Sequence, residues 1–224
     1  MVISLGGSLI IPNKINFKLL HEFKKVLRKH YRTHKFVVVC GGGSIARKYI
    51  EALRKEKKSK KELALAGIRA TRMNARFVMQ IFGEEANEHL PSSMKEIKDN
   101  LQKNNVVICG ALRFSRNSTS DSTAAKLAHY LKCDFINMTN VDGLYTANPT
   151  TNKNAKFIPF ISWKDFEKIA LSLKFEAGQH FVLDQNASSM IRENKIKTFI
   201  IGQRLSNLDK ILRGGKFRGT TISG

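Results

Sequence analysis

Two short apolar runs near the start of the chain, each stopped by glycine and followed by a helical pattern, constrain the fold more than any other feature. Residues 2–5 read Val-Ile-Ser-Leu and lead into Gly6-Gly7-Ser8. Residues 36–40 read Phe-Val-Val-Val-Cys and lead into Gly41-Gly42-Gly43-Ser44. Continuous apolar runs of this length, rich in β-branched residues, suit strands buried on both faces. Between them Phe17, Leu20, Phe23, Val26 and Leu27 recur at helical spacing, which predicts a helix over 17–30. Ser44 is the expected N-cap of a second helix running through Arg54. Two strand–turn–helix units in the first 55 residues predict a parallel α/β sheet, since parallel neighbours need a crossover between them.

The alternation continues to the other end. Residues 106–109, 135–138 and 197–202 predict strands, and residues 219–222 a last one. Ala124, Leu127, Ala128 and Leu131 share one helical face. Residues 173–194 predict a loop and a helix, and residues 205–212 a short helix. Neither an internal repeat nor a low-complexity linker interrupts the pattern. The expectation is an α/β fold, one mostly parallel sheet with helices on both faces, in a single domain over residues 1–224.

Composition narrows the function classes. At 42% hydrophobic residues in 224, a sizeable core is within reach. No apolar run approaches the ~20 residues that cross a bilayer. The N-terminal apolar run is too short for a secretory signal, so a soluble, cytoplasmic protein is expected, with no membrane partner. Cys40, Cys109 and Cys133 form no CxxC pair and read as small buried hydrophobes. The histidines are scattered, so no metal held by the protein alone is expected. Lys and Arg total 39 against 18 Asp and Glu, a net charge of +21, which attracts nucleic acid, anionic membranes and phosphorylated small molecules alike. The densest basic run, residues 54–61, carries no aromatic residue to stack on a base and reads as a solvated helix end. Nucleic acid is therefore not the favoured partner.

Several loops carry groups suited to phosphate. Glycine after a parallel strand lets a ligand approach the backbone, and N–H groups at a helix start attract an anion. Gly6-Gly7-Ser8 and Gly41-Gly42-Gly43-Ser44 both fit, although each also fits a plain tight turn or flexible connection. Arg47 lies one turn into the helix after the second loop and can reach back as a bidentate fork. Arg69, Arg72 and Arg76 form a helical stripe suited equally to solvent and to a buried anion or a partner subunit. Residues 113–121 offer Arg113, Phe114, Ser115, Arg116, Asn117, Ser118 and Thr119 before Ser120 or Asp121, either of which suits an N-cap. In residues 139–149, Asp142-Gly143 predicts a turn that displays Tyr145, whose ring can pack on adenine. Asp142 and Asp184 are the candidate acids; either can orient a metal or a lysine. GxSxG and the GxxxxGK[ST] P-loop are both absent.

Taken in order, these segments resemble the amino acid kinase family, and within it the members that phosphorylate UMP with ATP. The matching segments are residues 4–8, 41–50, 67–75, 119–121, 139–149, and Ala177-Gly178 followed by Asp184 and Ala187, so the resemblance spans nearly the whole chain. It implies a three-layer αβα sandwich around a mostly parallel sheet, with an acceptor-binding N-terminal half (about 1–130) and an ATP-binding C-terminal half (about 131–224). By matching position, Gly6, Gly7, Ser8, Gly43 and Arg47 would hold the ATP phosphates and the transferred group. Thr139, Asn140, Tyr145 and Asn148 would line the adenosine pocket. Gly42, Arg72 and the Arg113–Thr119 loop would hold UMP. Gly7, Ser8, Arg47 and Asp184 would be the catalytic set. The resemblance also implies Mg²⁺ bound through ATP phosphates and a homo-oligomer, a dimer or hexamer. The chain departs from the family pattern at Ser4, where many members have Lys, and at Ala64, Gly110-Ala111, Asn117, Asn148 and Glu176. These changes leave open a sister enzyme with another phosphate acceptor, or a nucleotide-binding or nucleic-acid-associated protein with weakened catalysis.

Overall fold

A computed structural model describes residues 1–112, 119–149, 151–172 and 182–224. Seven strands form the main sheet: β1 (Val2–Leu5), β2 (Phe36–Cys40), β3 (Val106–Cys109), β4 (Phe135–Met138), β7 (Phe160–Ile161), β8 (Thr198–Ile201) and β9 (Thr220–Ile222). A separate hairpin pairs β5 (Leu144–Tyr145) with β6 (Phe157–Ile158). The main sheet runs β3-β2-β1-β4-β8-β9-β7. Its first five strands are parallel, and β9 turns antiparallel to β8. The mostly parallel sheet read from the sequence is thus present, with an antiparallel edge that the sequence did not reveal.

Strand alternation builds a core on each face. Ile3, Leu5, Phe36, Val38, Ile108, Ile136 and Met138 face one way. There they meet the helices α1 (Gly7–Ile10), α2 (Phe17–Lys29), α4 (Lys60–Phe82) and α9 (Leu205–Leu212). Val2, Val37, Val39, Val107, Phe135 and Ile200 face the other way. They pack on α5 (Met94–Lys103), α6 (Ser120–Tyr130), α7 (Trp163–Ser172) and α8 (Gln185–Glu193). The result is a helix–sheet–helix sandwich. The remaining helix, α3 (Gly43–Lys55), lies mainly against α4 and fully buries only Ser44.

Local signals set most helix starts. Asn16 accepts from Leu19 N–H at the head of α2, and Ser59 and Glu62 close a reciprocal capping box on α4. Two expectations need correction. Ser44 does not cap α3: the helix begins one residue earlier, at Gly43 with φ +63°, and Gly42 is its N-cap. Neither Ser120 nor Asp121 caps α6: Thr119 does, in a capping box with Ser122. Cys40 and Cys109 are buried and Cys133 partly so, all unpaired. Among the described residues no helix is long and apolar enough to cross a membrane.

Candidate active site

The strand order creates a switch point. From β1 the chain adds β2 and then β3 on one side and later returns to β4 on the other. In open α/β sheets the crevice at the carboxyl ends of such strands is where ligands enter. Here Gly6 follows β1, Gly41 follows β2, Gly110 follows β3 and Thr139 follows β4, so the glycine turns converge on one edge of the sheet.

The first two turns touch backbone to backbone. A Cβ on Gly7 would fall 2.6 Å from Gly43 Cα and 2.7 Å from the Gly41 carbonyl carbon, distances at which no side chain fits. Gly43 is constrained twice, by its left-handed φ and by the Ile11 side chain 2.7 Å from where a Cβ would sit. Gly6-Gly7-Ser8 is not an open loop, as its sequence suggests: Gly6 is the N-cap and Gly7–Ile10 form the single turn α1. Among the described residues, the N–H groups of Gly7, Ser8, Gly42 and Gly43 donate to no backbone carbonyl. They are the orphan donors of two helix starts, brought side by side.

α4, in the same layer as α1, braces this floor. Asn74 Nδ2 donates to the Gly41 carbonyl at 2.7 Å, and the Ala111 N–H donates to Thr71 Oγ1 at 3.0 Å. Arg72 is half-buried and its Nη1 donates to the carbonyls of Pro91 and Ala111, both at 3.3 Å. Arg72 therefore sits at the end of β3, while Arg69 and Arg76 are exposed. Arg47 is exposed on α3 and makes no ion pair among the described residues. The calls on Arg113, Phe114, Ser115, Arg116, Asn117 and Ser118 fall outside the described residues.

The structure joins Thr119 and Asp184, both read from the sequence as site residues, with Ser4, Asp121 and Asn137 in a polar cluster at the switch point. Ser4, fully buried in β1, donates through Oγ to Asp121 Oδ1 at 2.8 Å. Thr119 Oγ1 donates to Asp184 Oδ2, and Asp184 Oδ1 accepts from Ala187 N–H at 2.9 Å, capping α8. Asn137, the register partner of Ser4, donates from Nδ2 to the Val182 carbonyl. Burial, and next the charge of Asp184, push the Asp121 carboxyl up to about 7, opposed by the Ser4 hydrogen bond. Asp184 is thus a helix cap and the acceptor of Thr119, a geometry for holding neighbours in place. A signal for this cluster was available: Ser4 and Asn137 are lone polar residues within otherwise apolar strands, and they stand opposite each other.

The 139–149 segment follows β4. Thr139 N–H donates to the Ile201 carbonyl at 2.9 Å, and Thr139 Oγ1 donates to Asn140 Oδ1 at 3.2 Å. Asn140 and Asn148 are exposed. Tyr145 is less freely displayed than its sequence suggests: it belongs to β5, and its ring meets Phe157 edge-on at 5.3 Å. Asp142-Gly143 does more than turn the chain. Asp142 pairs with Arg218, and Gly143 lies so close to Thr220 that a Cβ would fall 2.7 Å from Thr220 Oγ1. Among the described residues no group of three or more His, Cys, Asp or Glu side chains is placed to hold a metal.

Known proteins share this fold. The profile of the amino acid kinase family matches residues 1–202. A curated relative from Thermococcus sibiricus, named uridylate kinase, is 32% identical over 223 residues, covering 99% of this chain and 98% of its own. Another of that name, from Archaeoglobus fulgidus, is 33% identical over 224 residues, covering 100% of this chain and 99% of its own. The crystal structure of uridylate kinase from Archaeoglobus fulgidus matches with a TM-score of 0.86 at 33% identity, covering 99% of both chains. The UMP kinase of Bacillus anthracis, at 18% identity, shares the fold with a TM-score of 0.80 over 99% of this chain and 94% of its own. With a family match over most of its length and relatives aligned nearly end to end, this chain belongs to the amino acid kinase family.

Proposed function

We propose that this protein is a uridylate kinase, moving the γ-phosphoryl group of ATP to UMP to give UDP and ADP in pyrimidine nucleotide synthesis. The observation that carries this reading is the pair of touching glycine turns at the switch point, whose helix-start N–H groups are unspent among the described residues. Phosphoryl transfer asks for positioning and charge neutralisation more than for a covalent intermediate, and such turns supply both. Full-length relatives named uridylate kinase support the choice of acceptor.

In this reading Gly6, Gly7, Ser8, Gly43 and Arg47 take the triphosphate and the transferred group. Thr139, Asn140, Tyr145 and Asn148 receive the adenosine. Gly42, Arg72 and the segment 113–119 receive UMP. The acceptor half is about 1–130 and the ATP half about 131–224, joined as one domain. Asp184 contributes by orienting Thr119 and α8 rather than as a base. Mg²⁺ would enter on the ATP phosphates, where it neutralises charge between the reacting groups. The unspent N–H groups of the two glycine turns suit the phosphates that would carry such a cation. A homo-oligomer, dimer or hexamer, is supported by Tyr49 on α3 and Met73 on α4, large apolar side chains each about half exposed.

ADP release tests the reading, followed with UMP, CMP, dUMP, AMP and isopentenyl phosphate, each with and without magnesium. Magnesium-dependent turnover with UMP is expected. Turnover only with isopentenyl phosphate would point to a sister enzyme, and no turnover with any nucleoside monophosphate would overturn the reading.

A further inference from the structure

The loop after β4 is held by a segment with no role assigned so far, the residues entering β9. Arg218 Nε donates to Asp142 Oδ2 at 3.0 Å, and the guanidinium carbon lies 5.5 Å from the centroid of the Phe157 ring. Asp142 first, and the Tyr145 hydroxyl after it, favour the charged guanidinium and hold its pKa above the ordinary arginine value. Phe157 in turn meets Tyr145 edge-on. The backbone of Arg218 is itself fixed, its N–H donating to Asn207 Oδ1 at 3.1 Å. One planar cation thus touches the acid at the bend and the ring of β6, and through that ring it braces the tyrosine of β5. It sits at the mouth of the loop with its side chain 59% exposed.

The size of these contacts separates a structural role from a functional one. An exposed ion pair and an exposed cation–π contact each contribute little to global stability. The loop has other anchors: Leu144 N–H donates to the buried Thr220 Oγ1 at 2.7 Å, and Thr220 donates to the Ile158 carbonyl. Arg218 therefore contributes little to holding the fold. What it does fix is the attitude of Asp142 and Tyr145 relative to one another. Lysine cannot replace it fully, because an ammonium is a point charge without a plane to lie on a ring while donating to a carboxylate.

We infer that Arg218 is a positioning residue for the nucleotide donor, pre-ordering Asp142 and Tyr145 so that the loop presents one fixed surface to the adenosine of ATP. This rests on the reading of residues 139–149 as the donor side. Pre-ordering acts on affinity, because a loop already in its bound conformation does not lose that freedom on binding. Arg218 is accordingly expected to affect ATP and not the acceptor.

The test is calorimetric titration of magnesium and a non-hydrolysable ATP analogue into the wild type, Arg218→Ala and Arg218→Lys, beside steady-state kinetics with UMP. For Arg218→Ala, affinity for the ATP analogue and KM for ATP are expected to weaken about tenfold, with KM for UMP and the melting temperature nearly unchanged. Arg218→Lys should recover part of the loss. Unchanged affinity for the ATP analogue would overturn the inference. So would a parallel rise in both KM values, or a large fall in melting temperature, since either marks a general structural role. Binding and turnover fail independently. If the wild type binds the analogue but does not phosphorylate UMP, the acceptor assignment falls while the titration still decides on Arg218. If it binds no analogue at all, the donor-side reading and this inference fall together.

Discussion

The two flanks of the cleft are built by opposite means. On the β1–β2 flank, backbone meets backbone: Gly7 and Gly43 are in contact and neither can carry a Cβ. On the β4–β8–β9 flank, side chains do the holding, through Thr220 on Leu144 and Ile158 and through Arg218 on Asp142. The first construction is all-or-none, because an added methyl group meets main chain that cannot rotate away. The second is graded, because each side chain can be lost singly while the others remain. A site that must hold a highly charged group without side-chain interference suits the first. A site that must admit one base and refuse others suits the second.

Substitutions can break or sharpen that contrast. Gly7→Ala should have the largest effect. The two turns must separate, and a displacement near 1 Å at reacting groups costs about 100-fold in rate. Overpacking adds ~1–3 kcal/mol of instability. Rate of ADP formation and thermal melting measure the two separately, and near-normal activity would break the contrast. Thr220→Val comes next: it strands a buried N–H and a carbonyl, at ~1–3 kcal/mol for an unsatisfied group. That corresponds to a melting temperature lower by roughly 2–12 °C for a chain of this size. Its loss should fall on stability first and on turnover second. Asp184→Ala removes the α8 cap, worth ~1 kcal/mol, together with the partner of Thr119. Chemical denaturation should register it as a smaller shift than Thr220→Val.

The subtlest effect is read in pH. In the folded chain the Asp121 carboxyl is pushed up to about 7 from an ordinary value of 3.8. Between those values the folded state keeps a proton that the unfolded chain releases, so this group's contribution to stability is fullest below about pH 4 and is lost as pH rises through 7. Asp121→Asn keeps an acceptor for Ser4 but has no proton to lose. Urea melts at pH 5 and pH 8 should therefore show a smaller decline for the variant than for the wild type. An equal decline in both would mean that Asp121 is ionised normally in the fold.

The β1–β2 flank was the more legible in sequence, for physical reasons. Residues 36–40 are uniformly apolar with three β-branched valines at their centre, and the glycines after them announce a backbone approach, so strand and turn could be placed together. The helix over 205–212 was equally plain, since its periodicity matches the observed element. The helix start at Gly43 was misplaced because a serine beside glycines looks like a cap, whereas the chain uses the left-handed freedom of Gly43 to begin the helix first. On the other flank, β5, β6 and β7 span two residues each, too few to show any period. α5 went unread although Ser93 and Glu96 sign its start. The cluster of Ser4, Asp121, Thr119 and Asp184 joins residues 117 and 65 positions apart, a proximity that only the parallel sheet creates.

The most direct measurement is a crystal structure with UMP and a non-hydrolysable ATP analogue bound together. The β- and γ-phosphates should lie against the N–H groups of Gly7, Ser8 and Gly43, with the UMP phosphate facing them near Gly42 and Arg72. Phosphates seated away from the two touching turns, with those N–H groups still unbonded, would contradict the proposal that the backbone at the switch point is what holds the transferring group.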